Sequence, residues 1–233
     1  MDMNIHDMND INFLHSKNEL LKIWFRNFPN SFKKKVKNIL SVDSEDPELD
    51  LNLSKYFLNF EKYYLVQSDY DCYKNCIDKL FGNFNYKISY SDIYDYDIDP
   101  YISYDLIVIF TNFDLVKVTD FIKRTFDLLS DEGKIFIVTC KHEKFVLDCR
   151  NYFNLNFTSD KEFKDNLDFE CKTFNTIIHT YLNLNNLSEK EMLKFTNEKI
   201  DNEKLKEFKE YAYSKYGDYV NIPISLFVLS KYT

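Results

Sequence analysis

The chain alternates short apolar runs with amphipathic stretches. Leu106–Phe110 is a continuous apolar run rich in β-branched residues, which suits a strand buried on both faces. Val116, Phe121, Ile122, Phe126 and Leu129 are spaced to share one helical face. Asp131, Glu132 and Gly133 are expected to stop that helix, with Gly133 taking a positive φ. Ile135–Val138 reads as a second buried strand. Tyr104 to Cys140 therefore predicts a right-handed βαβ unit, around which the chain is organised.

The same patterns flank it. Ile11 to Phe32 predicts one or two amphipathic helices ended by Pro29 and Asn30, with Ser16 and Glu19 as a capping box. Strands are expected at Asn38–Val42, Tyr63–Val66 and Tyr86–Tyr90. Pro47 fits the first turn of a helix reaching about Phe60, and a helix from Tyr70 to Phe81 ends at Gly82. Ser91–Tyr101 is an acidic, tyrosine-rich connection. A helix from His142 to Phe153 follows. Thr158–Leu167 reads as a short helix or a loop, and Phe169 to Leu182 as a strand. Ser188 and Glu191 cap a long helix, broken before Ile200 and Asp201, that ends at Gly217. Ile222–Tyr232 closes the chain. No repeat or linker interrupts residues 1–233, so one domain is expected: a helical N-terminal part over 1–35 and a core over 36–233.

Composition narrows the classes. Hydrophobic residues make up 45% of 233 residues, enough for one sizeable core. Phe and Tyr number 22 and 18 while Ala212 is the sole alanine, so no single aromatic is read as functional on its own. The net charge of −8 argues against a nucleic-acid partner, which demands a basic surface. Lys33, Lys34, Lys35 and Lys37 form the densest basic run, read as a solvated helix end before a strand. Five cysteines without a Cys-x-x-Cys pair give weak support for a metal and are read as free thiols. No run of about 18 apolar residues occurs, so no membrane partner and a cytoplasmic location are expected. A small-molecule ligand or a protein partner remains.

Five β-α alternations followed by a strand, a long helix and a final strand resemble the layout of class I, Rossmann-like methyltransferases. Particular stretches resemble the histamine N-methyltransferase group. These are Phe13-Leu14-His15-Ser16, Ile39-Leu40-Ser41-Val42, Glu48-Leu49-Asp50-Leu51, Tyr104-Asp105-Leu106-Ile107 and Ile224-Ser225-Leu226-Phe227-Val228. They fall in the group's order along almost the whole chain. The resemblance implies an α/β fold: a mostly parallel sheet with an antiparallel last strand, helices on both faces, and residues 1–35 as a small helical lid. It implies S-adenosylmethionine as cofactor.

The resemblance also assigns positions, and several depart from the family's pattern. The family's glycine-rich turn falls on Asp43 to Pro47, which holds no glycine and three carboxylates. Those carboxylates repel the cofactor's own carboxylate and crowd its pocket. The acid that holds the ribose hydroxyls falls on Gln67, with Asp69 two residues on. The implied cofactor set is Ser41, Asp43, Gln67, Asp69, Asp92 and Phe110. The implied substrate set is Glu19, Thr111, Asn112 and Asn221. Asp105 is read as structural. Asp43, Glu45, Asp46 and Asp50 read either as acids at a helix N-terminus or as a cation or amine site. His142 after the fifth strand reads as a lone exposed histidine or a base, and no catalytic residue is assigned. Three functions stay open: a non-catalytic binding or regulatory protein, an active N-methyltransferase on a small amine-like molecule, and a repurposed pocket.

Overall fold

A computed structural model describes residues 19, 21–26, 28–80, 82–83, 85–93, 95–110, 115–140, 144–155, 163, 165–167, 171–187, 192 and 200–230. Residues 21–26 are helical. Then follow α1 (Asn30–Lys35), β1 (Asn38–Val42), α2 (Pro47–Ser54), β2 (Lys62–Gln67), α3 (Tyr70–Leu80), β3 (Tyr86–Tyr90), β4 (Tyr104–Phe110), α4 (Leu115–Thr125), β5 (Leu129–Cys140), α5 (Lys144–Phe153), β6 (Cys171–Asn183), α6 (Asn202–Tyr216) and β7 (Tyr219–Ser230).

The strands form one seven-stranded sheet in the order β3-β2-β1-β4-β5-β7-β6. β1 pairs in parallel with β2 and β4, and β4 in parallel with β5. β7 runs antiparallel to both β5 and β6. The central strands are buried on both sides because each face has its own core. Ile39, Leu65, Leu106, Val108, Phe136 and Val138 enter one cluster, with Leu21, Phe25, Phe32, Leu49, Leu53 and Cys76 from the covering helices. Their alternating neighbours Leu40, Val42, Val66, Ile107, Ile109, Ile135 and Ile137 enter the other, under Val118, Phe121 and Ile122. Phe25 is fully buried, with its ring 5.2 Å from that of Phe57 and 5.6 Å from that of Phe136. The described part of the N-terminal region is thus docked into the core.

Asp105, expected to be structural, is so. Its Oδ2 accepts the amides of Lys37 and Asn38 at 2.8 and 3.0 Å, and its Oδ1 accepts the Ser130 hydroxyl at 2.8 Å. This ties together the entries of β1, β4 and β5. The lysine run forms the last turn of α1 directly before β1, as expected. In the acidic connection after β3, Tyr96 points inward and Tyr101 is exposed. Tyr96 and Tyr104 are buried, and Arg124 donates to the carbonyls of Ile93 and Tyr96.

The helical residues 21–26 stop before Pro29 as expected, and a further short helix, α1, opens at Asn30 with Pro29 as its N-cap. Two expectations are corrected. The helix at Pro47 ends at Ser54, short of Phe60. The α4 helix ends at Thr125, passes through a 3-10 turn at Phe126–Leu128, and Gly133 lies inside β5 without a positive φ. There the register jumps from the Tyr104–Leu129 pair to the Leu106–Lys134 pair, a bulge. Glycine is needed at this point for space. A Cβ on residue 133 would stand 2.7 Å from Leu129 Cγ and 2.9 Å from the Ser130 carbonyl oxygen. The capping box at Ser188 and Glu191 lies outside the described residues, as does Ser16.

Gly133→Ala is therefore expected to lower stability by about 1–3 kcal/mol, because backbone and a buried leucine must both yield. Gly82→Ala, at φ 82° with open space around it, is expected to lose only about 1 kcal/mol from backbone conformation. Urea unfolding of the two variants measures the difference.

Candidate ligand site at the carboxyl ends of the strands

The strand order reverses between β1 and β4. In open α/β sheets, ligands bind in the crevice outside the carboxyl ends at such a point. The residues that leave β1 there are Asp43, Ser44, Glu45 and Asp46. Asp43 and Glu45 both have left-handed backbones, with φ of 53° and 61°. Glycine takes this conformation freely, while a side-chain-bearing residue pays roughly 1–2 kcal/mol. The turn thus keeps a glycine-like path without glycine.

Hydrogen bonds hold that path. The Asp43 amide donates to the Val66 carbonyl at 2.9 Å, and Asp43 Oδ1 accepts the Ser68 amide at 2.8 Å. The loops after β1 and β2 are thereby joined to each other. Beneath the turn, the Ser44 hydroxyl donates to Asp50 Oδ2 at 2.5 Å. The Tyr63 hydroxyl donates to Asp50 Oδ1 at 2.7 Å. Gln67 Nε2 donates to Ser44 Oγ at 2.8 Å, and Gln67 Oε1 accepts the Glu45 amide at 3.4 Å. Ser44, Asp50, Tyr63 and Gln67 are each at most 1% exposed. The Ser41 hydroxyl is buried beside them. Burial pushes the Asp50 carboxyl up to about 6, against the opposing pull of its hydroxyl donors. Burial likewise raises half-buried Asp43 to about 6, opposed by its bond to Ser68 and assisted by the charges of Glu45 and Asp92.

The sequence-derived positions divide. Ser41, Asp43 and Gln67 meet at this edge, and Asp92 is near enough to act on Asp43. Asp69 Oδ1 accepts the Cys72 amide at 2.9 Å, at the start of α3. Phe110 is buried at the end of β4, in the core shared with Phe25. Glu19 pairs with Lys22 at 2.8 Å. Asn221 sits in β7 in register with Tyr181. Thr111, Asn112 and His142 lie outside the described residues. Of the four acids read together, Asp46 caps α2 by accepting the Glu48 amide at 2.9 Å, and Asp50 faces hydroxyls inside the protein. Ser44 and Tyr63 were not singled out by the sequence. One signal was present: the two-residue period of β2 puts Tyr63, Leu65 and Gln67 on one face.

No family model matches the chain, and no curated protein sequence matches it. Solved structures do. The YcgJ protein of Bacillus subtilis aligns over 94% of this chain and 99% of its own, with a TM-score of 0.60 at 12% identity. The N-methyltransferase NodS from Bradyrhizobium japonicum, in complex with S-adenosylhomocysteine, covers 94% and 89% with a TM-score of 0.53 at 10% identity. The plantazolicin methyltransferase BpumL, in complex with a monoazolic desmethylPZN analog and S-adenosylhomocysteine, covers 94% and 83% with a TM-score of 0.52 at 16% identity. The fold is the Rossmann-like methyltransferase fold. At these identities the likeness is one of fold, and it agrees with the expected sheet, parallel except at β7.

Within this fold, two outcomes follow from the turn. Glu45→Gly is expected to raise stability by up to about 1 kcal/mol by relieving the left-handed residue, while Glu45→Val lowers it by at least as much. Thermal unfolding measures both. The second concerns pH. An ordinary aspartate titrates near 3.8 and buried Asp50 near 6. Between those values the folded state keeps a proton that the unfolded chain releases. The stability given by the protonated form is therefore lost as pH rises from about 4 to above 6. Relative to Asp50→Asn, the parent is expected to lose on the order of 2 kcal/mol across that window in denaturant titrations. A difference that stays flat with pH would contradict this.

Proposed function

We propose that the chain is a methyltransferase-fold protein that does not hold S-adenosylmethionine in the usual manner and acts as a non-catalytic binding or regulatory member of the fold. The engagement of Gln67 carries this reading. Its position is where the family resemblance implies an acid that grips the ribose hydroxyls. Here both polar atoms of the carboxamide are used internally, and the side chain is fully buried. A neutral amide would also bind those hydroxyls more weakly than a carboxylate. The turn adds to this. Asp43 is engaged by the Ser68 amide, and Asp43, Glu45 and Asp46 place negative charge where the cofactor's carboxylate would lie. The residues present do not fit the cofactor.

A second reading has its own support. The left-handed Asp43 and Glu45 preserve the backbone course of a glycine turn, which favours a ligand approaching the main chain. On that reading the protein is an active N-methyltransferase on a small amine-like molecule, of the histamine N-methyltransferase kind. Such an enzyme mainly orients a neutral nucleophile toward an activated methyl group, so the absence of an assigned base does not count against it.

Titration calorimetry with S-adenosylmethionine and with S-adenosylhomocysteine separates the two. The first reading predicts affinity weaker than about 1 mM for both. Micromolar binding of either supports the second.

A further inference from the structure

We infer that Ser44, Asp50, Tyr63 and Gln67 form an internal latch that holds the β1 turn closed with the chain's own groups, and that a nucleoside-bearing ligand enters this edge only when the latch opens. The inference rests on the proposed reading and names what controls the same site.

The contacts form a single chain of dependence. Tyr63, from β2, and Ser44, from the turn, each donate to one oxygen of Asp50 in α2. With its hydrogen given to Asp50, Ser44 Oγ is left as an acceptor, and Gln67 Nε2 takes it. The opposite end of the same carboxamide then receives the Glu45 amide. Turn amides of this kind are the groups that meet a ligand's anionic or hydroxyl oxygens in such crevices. Here the amide of Glu45 and the side chain of Gln67 satisfy one another. Asp43 closes the other side through Ser68. A glycine at residue 44 has no side chain to reach Asp50 or Gln67, so it cannot build this arrangement. Opening the turn would leave the fully buried Asp50 without one of its two donors, which opposes spontaneous release.

The test compares the parent with Ser44→Gly/Gln67→Glu, which removes the hydroxyl and supplies a carboxylate. S-adenosylhomocysteine is the probe, in titration calorimetry. The latch predicts that the double variant binds at least about tenfold more tightly than the parent. A double variant with the parent's circular dichroism spectrum but no gain in binding overturns the latch. Micromolar binding by the parent overturns the proposed function instead, and the latch then stands or falls on whether the variant still gains tenfold. Where the double variant does not fold, Ser44→Ala decides by amide hydrogen exchange. The latch predicts exchange at Glu45 and Ser68 at least about tenfold faster, with β4 amides unchanged. Unchanged exchange at Glu45 and Ser68 overturns it.

Discussion

A carboxylate sealed inside a protein must find hydrogen-bond donors, and Asp50 sets that demand here. It lies in α2, against the start of the parallel sheet, with no solvent contact. Its donors come from two other places in the chain: Tyr63 on β2 and Ser44 on the turn after β1. Satisfying one buried charge therefore fixes how α2, β2 and the turn sit together. Gln67 and the Glu45 amide complete the same requirement at its outer end. The left-handed conformations at Asp43 and Glu45 persist because this surrounding structure determines them.

The sheet makes the location matter. β1 is the strand at which the order reverses, so its carboxyl end is where this fold opens a crevice. Both faces of β1 are buried, by alternate side chains in separate cores. The strand is thus held from both sides, and the turn begins where that packing ends. The same architecture that serves methyltransferases elsewhere is retained across the sheet, including the reversed β7. Donors and acceptors that could face a ligand face each other.

Much of the fold was legible in the sequence. β1, β3 and β4 fall where their apolar runs place them, and Gly82 and Gly217 end helices with positive φ as glycines do. Periodicity reports burial, and burial determines these elements. A glycine after a helical stretch resembles a stop, whereas Gly133 leaves room for Leu129 in a bulge. The apolar pattern likewise extends past the end of α2, because Phe57 continues it after the backbone has left the helix. At the site, the absence of glycine from Asp43–Pro47 and the amide at Gln67 could be read directly. The mutual satisfaction of Gln67, Ser44 and Asp50 could not. It depends on residues 23 and 6 positions apart meeting in space, which no local pattern encodes.

The side-chain amide of Gln67 offers the most direct measurement. Nuclear magnetic resonance of its Nε2 protons reports whether they are bonded inside the protein or open to water. Protons protected from solvent exchange are expected, with shifts that do not change when S-adenosylmethionine is added. Exchange at the rate of a free glutamine side chain, or a shift that saturates with the cofactor, would contradict this.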